Sequence, residues 1–206
     1  MRWHMQPISN QNIGATMNKD DIVRDAILQA AERVFQKWGM NKTTMEDIAS
    51  EAGKGKSTLY YYYESKEEIF DAVIKIEFEK ILALARESTI EVASAREKLK
   101  RYIITSIIEI KNKINVYTIV RIEIKRNQNF LEKMRKLFEL KEESFVREIL
   151  KLGLEKKEFS FIDRNELNTA AKTIIGVIHA LELYLLLEND DTKQIDMAAK
   201  MISEGV

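Results

Sequence analysis

Apolar positions return at the three- and four-residue intervals of a helix almost from one end of the chain to the other. Ile22, Ala26, Ile27, Ala30, Val34, Phe35 and Trp38 form one stripe, and Gly39 follows it where a left-handed cap is tolerated. A short second helix starts at "TTMEDIASEA". Thr43 with Glu46 fits a capping box, and Thr44 with Asp47 is the weaker variant. Gly53 interrupts it, and a third short helix is expected over 56–62. Further helices are expected at 65–88, 93–111, 115–126, 130–152, 163–187 and 192–203, with Gly153 ending one and "DRNE" at Asp163 starting the next. Residues 1–17 show no period and are rich in Asn and Gln. They read as a flexible tail, with Met17 an alternative natural start.

This pattern predicts an all-α protein, and composition agrees. Of 206 residues one is proline and seven are glycine, too few turn formers for a sheet protein of this size. Apolar residues make up 45%, enough for a sizeable core. The absence of cysteine excludes disulfides and thiolate chemistry. His4 and His179 are too far apart for a motif, and the carboxylates of "KEES" and "EKKE" are expected on solvated faces. No catalytic, metal or cofactor constellation emerges. No apolar run approaches the ~20 residues of a membrane span. With no signal-peptide centre at the start, a cytoplasmic setting is expected.

The 33 basic and 33 acidic side chains cancel, so nucleic-acid contact would have to come from a local patch. One such patch exists. Between Met45 and Tyr62, Ile48 and Leu59 are apolar where two short helices must touch. Ala49 is small where they cross, and Gly53 occupies the turn. Two short helices joined by a glycine-containing turn make a helix-turn-helix, whose second helix enters the DNA major groove tip first. Lys54, Lys56 and Ser57 lie at that tip. Tyr60 and Tyr61 share their face, whereas Tyr62 and Tyr63 are expected to point back toward the long fourth helix. Residues 52–63 hold two lysines and no acid, although acids outnumber bases over 18–70. A helical hairpin with a solvated lysine face is the plainer reading, ranked below DNA binding.

"TTMEDIASEAGKGKSTLYYYYESKEEIF", preceded by "VFQKWG", resembles the DNA-binding domain of the TetR family of bacterial transcriptional regulators. The resemblance rests on Thr43, Thr44, Ile48, Ala49, Ala52, Gly53, Lys56, Thr58, Leu59, the four tyrosines, Ser65, Lys66 and Glu67. Lys54 departs from a usual apolar residue and Tyr63 from a usual phenylalanine. The resemblance implies phosphate contacts from Thr44, Tyr60, Tyr61 and Lys66, and groove contacts from Lys56, Ser57 and Thr58. Thr44 and Lys66 also stand at helix starts, where anions are favoured.

The expected organisation is a tail at 1–17, a three-helix DNA-binding domain at 18–64, and a larger helical regulatory and dimerisation domain at 65–206. "IIGVIHALELYLLL" (174–187) is apolar almost all round and needs cover on two sides. Ile174, Gly176, Ile178, Ala180 and Leu181 are the candidate homodimer contacts, completed by the helix from Thr192. Tyr102, Tyr117, Arg121, Phe145 and His179 are candidates for an effector pocket, with core packing an equal explanation for each. Arg121 hints at an anionic effector. The resemblance implies a repressor that leaves its double-stranded operator when a small molecule binds. The alternative is a helical interaction module that has lost DNA binding.

Overall fold

The computed structural model describes residues 18–116, 128–160, 162–187 and 192–205, all helices and connections with no strand among them. The helices are α1 Lys19–Lys42, α2 Met45–Glu51, α3 Lys56–Tyr62, α4 Lys66–Glu87, α5 Ala95–Val116, α6 Gln128–Glu155, α7 Leu167–Leu187 and α8 Thr192–Gly205. A short 3-10 turn, Arg164–Glu166, leads into α7. The helix expected at 115–126 lies largely outside the described residues, as do the tail at 1–17 and the candidate pocket residues Tyr117 and Arg121.

Local chemistry explains most ends. The Asn18 side chain accepts from the Asp20 N–H at 3.1 Å, and the Ser65 hydroxyl accepts from the Glu68 N–H at 3.2 Å. Gly39, with φ of 74°, breaks the regular dihedrals of α1 before its last few residues. Gly153 behaves differently from the expectation. It lies inside α6, which runs on to Glu155 and closes with Lys157 at φ 57°. Glu158 N–H reaches Gly153 O at 2.8 Å and Lys157 N–H reaches Leu154 O at 3.1 Å, the paired bonds of a Schellman ending. The glycine is there for space: a Cβ at 153 would lie 2.0 Å from the Phe159 ring.

Two large apolar cores result, with Ile81 of α4 and Ile110 of α5 forming a small cluster of their own. The head core joins Ile27, Ala31, Val34 and Phe35 of α1 to Met45, Ile48 and Ala49 of α2, Leu59 and Tyr63 around α3, and Ile69, Phe70, Val73 and Ile74 of α4. The body core joins Ala85 to Leu99, Tyr102, Ile103 and Ile107 of α5, Val146, Ile149 and Leu150 of α6, Ile174, Ile175 and Ile178 of α7, and Ile195 and Ala199 of α8. α4 therefore serves both cores, and the boundary read between 64 and 65 falls at the start of this shared helix.

Where α4 passes from one core to the other, the buried Glu77 accepts from Lys80 at 2.6 Å and pairs with Lys113 of α5. Burial pushes its carboxyl up. The hydrogen bonds from Lys113 and Lys80 outweigh that, so it sits below the usual carboxylate range.

Candidate nucleic-acid interface

The two threonines before α2 divide their work. Thr43 is buried and its hydroxyl donates to Gly39 O at 2.6 Å, fixing the entry of α2 against the end of α1. Thr44 is the cap. Its hydroxyl accepts from the Asp47 N–H at 3.2 Å, and its own N–H donates to the Asp47 carboxylate at 2.8 Å. Bonds from the Thr44 hydroxyl and backbone hold Asp47 below the usual carboxylate range. The variant expected to be weaker is thus the one that forms, and Glu46 is left to reach elsewhere.

The turn is a second Schellman ending. Lys54 N–H donates to Ala49 O at 2.9 Å and Gly53 N–H to Ser50 O at 3.1 Å, with Gly53 at φ 62°. Nothing lies within 4 Å of a Cβ built at 53, so the backbone angle rather than crowding requires glycine. The turn sets α3 across α2 with Leu59 and Ile48 fully buried at their contact.

With Leu59 inward, the opposite row of α3 faces solvent. Lys54, Lys56 and Ser57 are exposed, Thr58 is half-buried, and Tyr60 and Tyr61 are 48% and 77% exposed. Tyr62 and Tyr63 turn back, but toward α1. The Tyr62 hydroxyl donates to Asp20 at 2.8 Å, and the Arg24 guanidinium lies 5.2 Å from the Tyr62 ring and 5.7 Å from the Tyr63 ring. The expectation that they face the long helix is corrected for Tyr62, whose hydroxyl is bonded to α1. Tyr63 is nonetheless part of the head core that α4 completes.

Two cations are placed in ways the sequence did not disclose. Lys66 does not project from the start of α4. Its ammonium donates to Met40 O and Thr43 O, both at 2.9 Å, and to Asn41 O at 3.4 Å. It neutralises carbonyls left bare at the end of α1, so the expectation of a phosphate contact is corrected to a structural clamp. Lys56 ion-pairs with Glu46 of α2 and holds its ammonium 5.8 Å from the Tyr60 ring. The pairing lowers the Glu46 pKa and raises that of Lys56. Arg33 bonds Glu51 at 2.7 Å and ties α1 to α2.

In the body, Tyr102 and Phe145 come together, ring centroids 5.2 Å apart, and His179 Nε2 lies 3.0 Å from Glu142 Oε2. Burial first, then the Glu142 and Glu182 carboxylates, push the Tyr102 hydroxyl pKa up. Glu142 belongs to "KEES" and is buried, which corrects the expectation of a solvated face; the partner that makes burial tolerable, His179, lies on another helix. Beside the cluster opens a groove of about 400 Å³ lined by Glu79, Leu82, Ala83, Arg86 and Lys141. Arg86 also lies over the Phe145 ring at 5.0 Å.

Of the dimer candidates, Ile174 and Ile178 are buried in the chain's own core and Leu181 is half-buried, so these isoleucines are corrected to internal packing. Gly176 and Ala180 are exposed on the opposite face. Val177, 41% exposed, and Tyr184, 51% exposed, share that face of α7, and Met197 and Met201 of α8 are 58% and 68% exposed.

Comparison with known proteins agrees with this geometry. Residues 27–73 match the model for bacterial regulatory proteins of the tetR family. The transcriptional repressor BepR of Brucella suis is 43% identical over 51 residues, 25% of this chain and 24% of that protein. The chain therefore spans about a quarter of BepR's length. The uncharacterized transcriptional regulator YfiR of Bacillus subtilis is 26% identical over 87% of this chain and 89% of its own. In fold, the chain is similar to a TetR/AcrR-family regulator of Thermobifida fusca, with a TM-score of 0.67 at 18% identity, covering 88% of this chain and 97% of that one.

Proposed function

The chain belongs to the TetR family of bacterial regulatory proteins, and from that premise we propose that it is a repressor binding double-stranded operator DNA as a homodimer. The observation that carries this reading is the outward row of α3, with Lys56, Ser57, Tyr60 and Tyr61 exposed while Leu59 is locked in the core. A helix so anchored presents its N-terminal side chains as a rigid tip. Lysine and serine meet base-edge acceptors or phosphates, and the tyrosine hydroxyls meet phosphate. Thr44 and Lys54 flank the tip and add backbone contacts.

Two such tips are needed, because one short helix buries little surface. The exposed stripe of Gly176, Val177, Ala180 and Tyr184 with Met197 and Met201 is the surface on which a second copy would pack. Gly176 and Ala180 let the backbones approach closely. A two-fold pair places recognition helices about 34–36 Å apart, in successive major grooves. Ala180→Glu is expected to turn the dimer into a monomer in sedimentation and to abolish tight DNA binding while the helical signal is kept. A variant that stays dimeric would remove this interface.

Release from DNA is assigned to a small molecule in the body, near Tyr102, Phe145 and His179. To act, it must favour one spacing of the heads over the other, since equal affinity for both would shift nothing. The setting is the cytoplasm, where the DNA is.

The test is a gel shift on duplexes selected from genomic fragments. Binding that is sequence-selective and falls steeply with salt supports the reading. Tyr60→Phe is expected to weaken it about tenfold, the equivalent of one hydrogen bond to a charged group. Equal binding to selected and random duplexes, or none, would favour the interaction-module alternative.

A further inference from the structure

The DNA-facing surface carries an anion where a simple phosphate binder would have none. Of the three carboxylates on or beside α2, Asp47 is committed to the Thr44 cap and Glu51 to Arg33. Glu46 instead reaches across the turn to the first residue of the recognition helix and pairs with the Lys56 ammonium. Both side chains stay more than half exposed, so the pair stands at the tip of α3 rather than inside the fold. Exposed pairs of this kind contribute little to folding.

We propose that Glu46 is a specificity-determining residue, which holds Lys56 in a neutral pair that bare phosphate no longer attracts and the floor of the major groove accepts. This rests on the DNA-binding reading above. The sugar–phosphate backbone offers acceptors alone, so a carboxylate brought there with its lysine gains nothing and adds repulsion. The groove floor offers both kinds of partner: guanine N7 and O6 accept from lysine, and the amino groups of cytosine or adenine donate to a carboxylate. A lysine free to swing would neutralise phosphate on any sequence. A lysine paired with a carboxylate and lying over the Tyr60 ring fits a base step where an acceptor adjoins an amino group.

The pair therefore lowers binding to random DNA more than binding to the right site. Glu46→Gln keeps the shape and removes the charge, so it tests the charge alone. Binding is measured by fluorescence anisotropy of the full chain on a duplex selected from genomic fragments and on a random-sequence duplex, across a salt series. Glu46→Gln is expected to tighten random-duplex binding on the order of tenfold at 0.1 M salt and to steepen its log–log salt slope by about 0.9, one phosphate contact. The ratio of selected to random affinity falls. In a Lys56→Gln background the same substitution has no such effect, and thermal melting of each variant checks that the fold is intact. An unchanged ratio and slope, or equal weakening on both duplexes, overturns the assignment of Glu46 while leaving the regulator reading standing. If the parent itself fails to discriminate the two duplexes, the regulator reading fails and this inference falls with it.

Discussion

The head and the body are both helical and both closed around an apolar core, yet they leave opposite kinds of surface bare. On the head, the uncovered row of α3 is cationic and phenolic: Lys56, Ser57, Tyr60 and Tyr61. On the body, the exposed residues Gly176, Val177, Ala180 and Tyr184 of α7 and Met197 and Met201 of α8 carry no charge. A polyanion suits the first and an identical copy suits the second. Their polar interiors differ as well. The head keeps its charges at the edge, as Lys66 on the carbonyls ending α1 and Arg24 over two tyrosine rings. The body buries Glu142 and Glu182 beside Tyr102, which a domain built for packing alone would not need. The proposed function assigns DNA reading to the head and effector response to the polar centre of the body.

If the head is a separate core whose contact point is Leu59, truncating that residue should be the most damaging change. Leu59→Ala is expected to lose about 2–5 kcal/mol in urea unfolding, with DNA binding abolished and the body's helices retained. Uniform loss of all helix in one transition would instead make head and body one cooperative unit. On the body side, Gly153→Ala forces the Phe159 ring to move and is expected to lose about 1–3 kcal/mol by the same measurement. Gly53→Ala in the head meets no crowding and should lose less, about 1–2 kcal/mol from the left-handed backbone alone. The contrast separates a glycine kept for room from one kept for its dihedral angle, and equal losses would erase it.

The smallest effect belongs to the junction. Glu77 sits below the usual carboxylate range in the folded chain, so it adds stability that is full above the unfolded value and is lost as pH falls through the folded one. The parent should be more stable than Glu77→Gln at neutral pH, and the gap should close as acid protonates the carboxylate. A gap independent of pH would mean that the ion pair with Lys113 does not hold α4 to α5.

The head was more legible in sequence than the body for a physical reason. Its turn demands residues that few other structures demand, a glycine at positive φ and buried Ile48 and Leu59 at one spacing, so the bounds of α3 match the expectation. Long side chains were not legible even there. A lysine's start says little of where four methylenes carry its charge, so Lys66 and the Glu46–Lys56 pair needed the structure. In the body, "KEES" looks like any solvated helix face until α7 brings His179 to Glu142. An apolar helix such as α7 does not show which half is core. Ile174 and Ile178 look the same as Val177 in sequence and differ only once α5 and α6 are in place. At 153 a glycine kept for packing and a glycine kept for capping leave the same letter, and only the Phe159 ring tells them apart.

Hydroxyl-radical footprinting of the dimer on a selected genomic duplex shows whether two copies of the α3 tip enter one duplex together. Two symmetric protected patches should appear, centred about one helical turn or a whole multiple of it apart, and both should vanish with Lys56→Ala. A single patch, or protection that persists without Lys56, would mean that the paired α3 tips are not what the duplex meets.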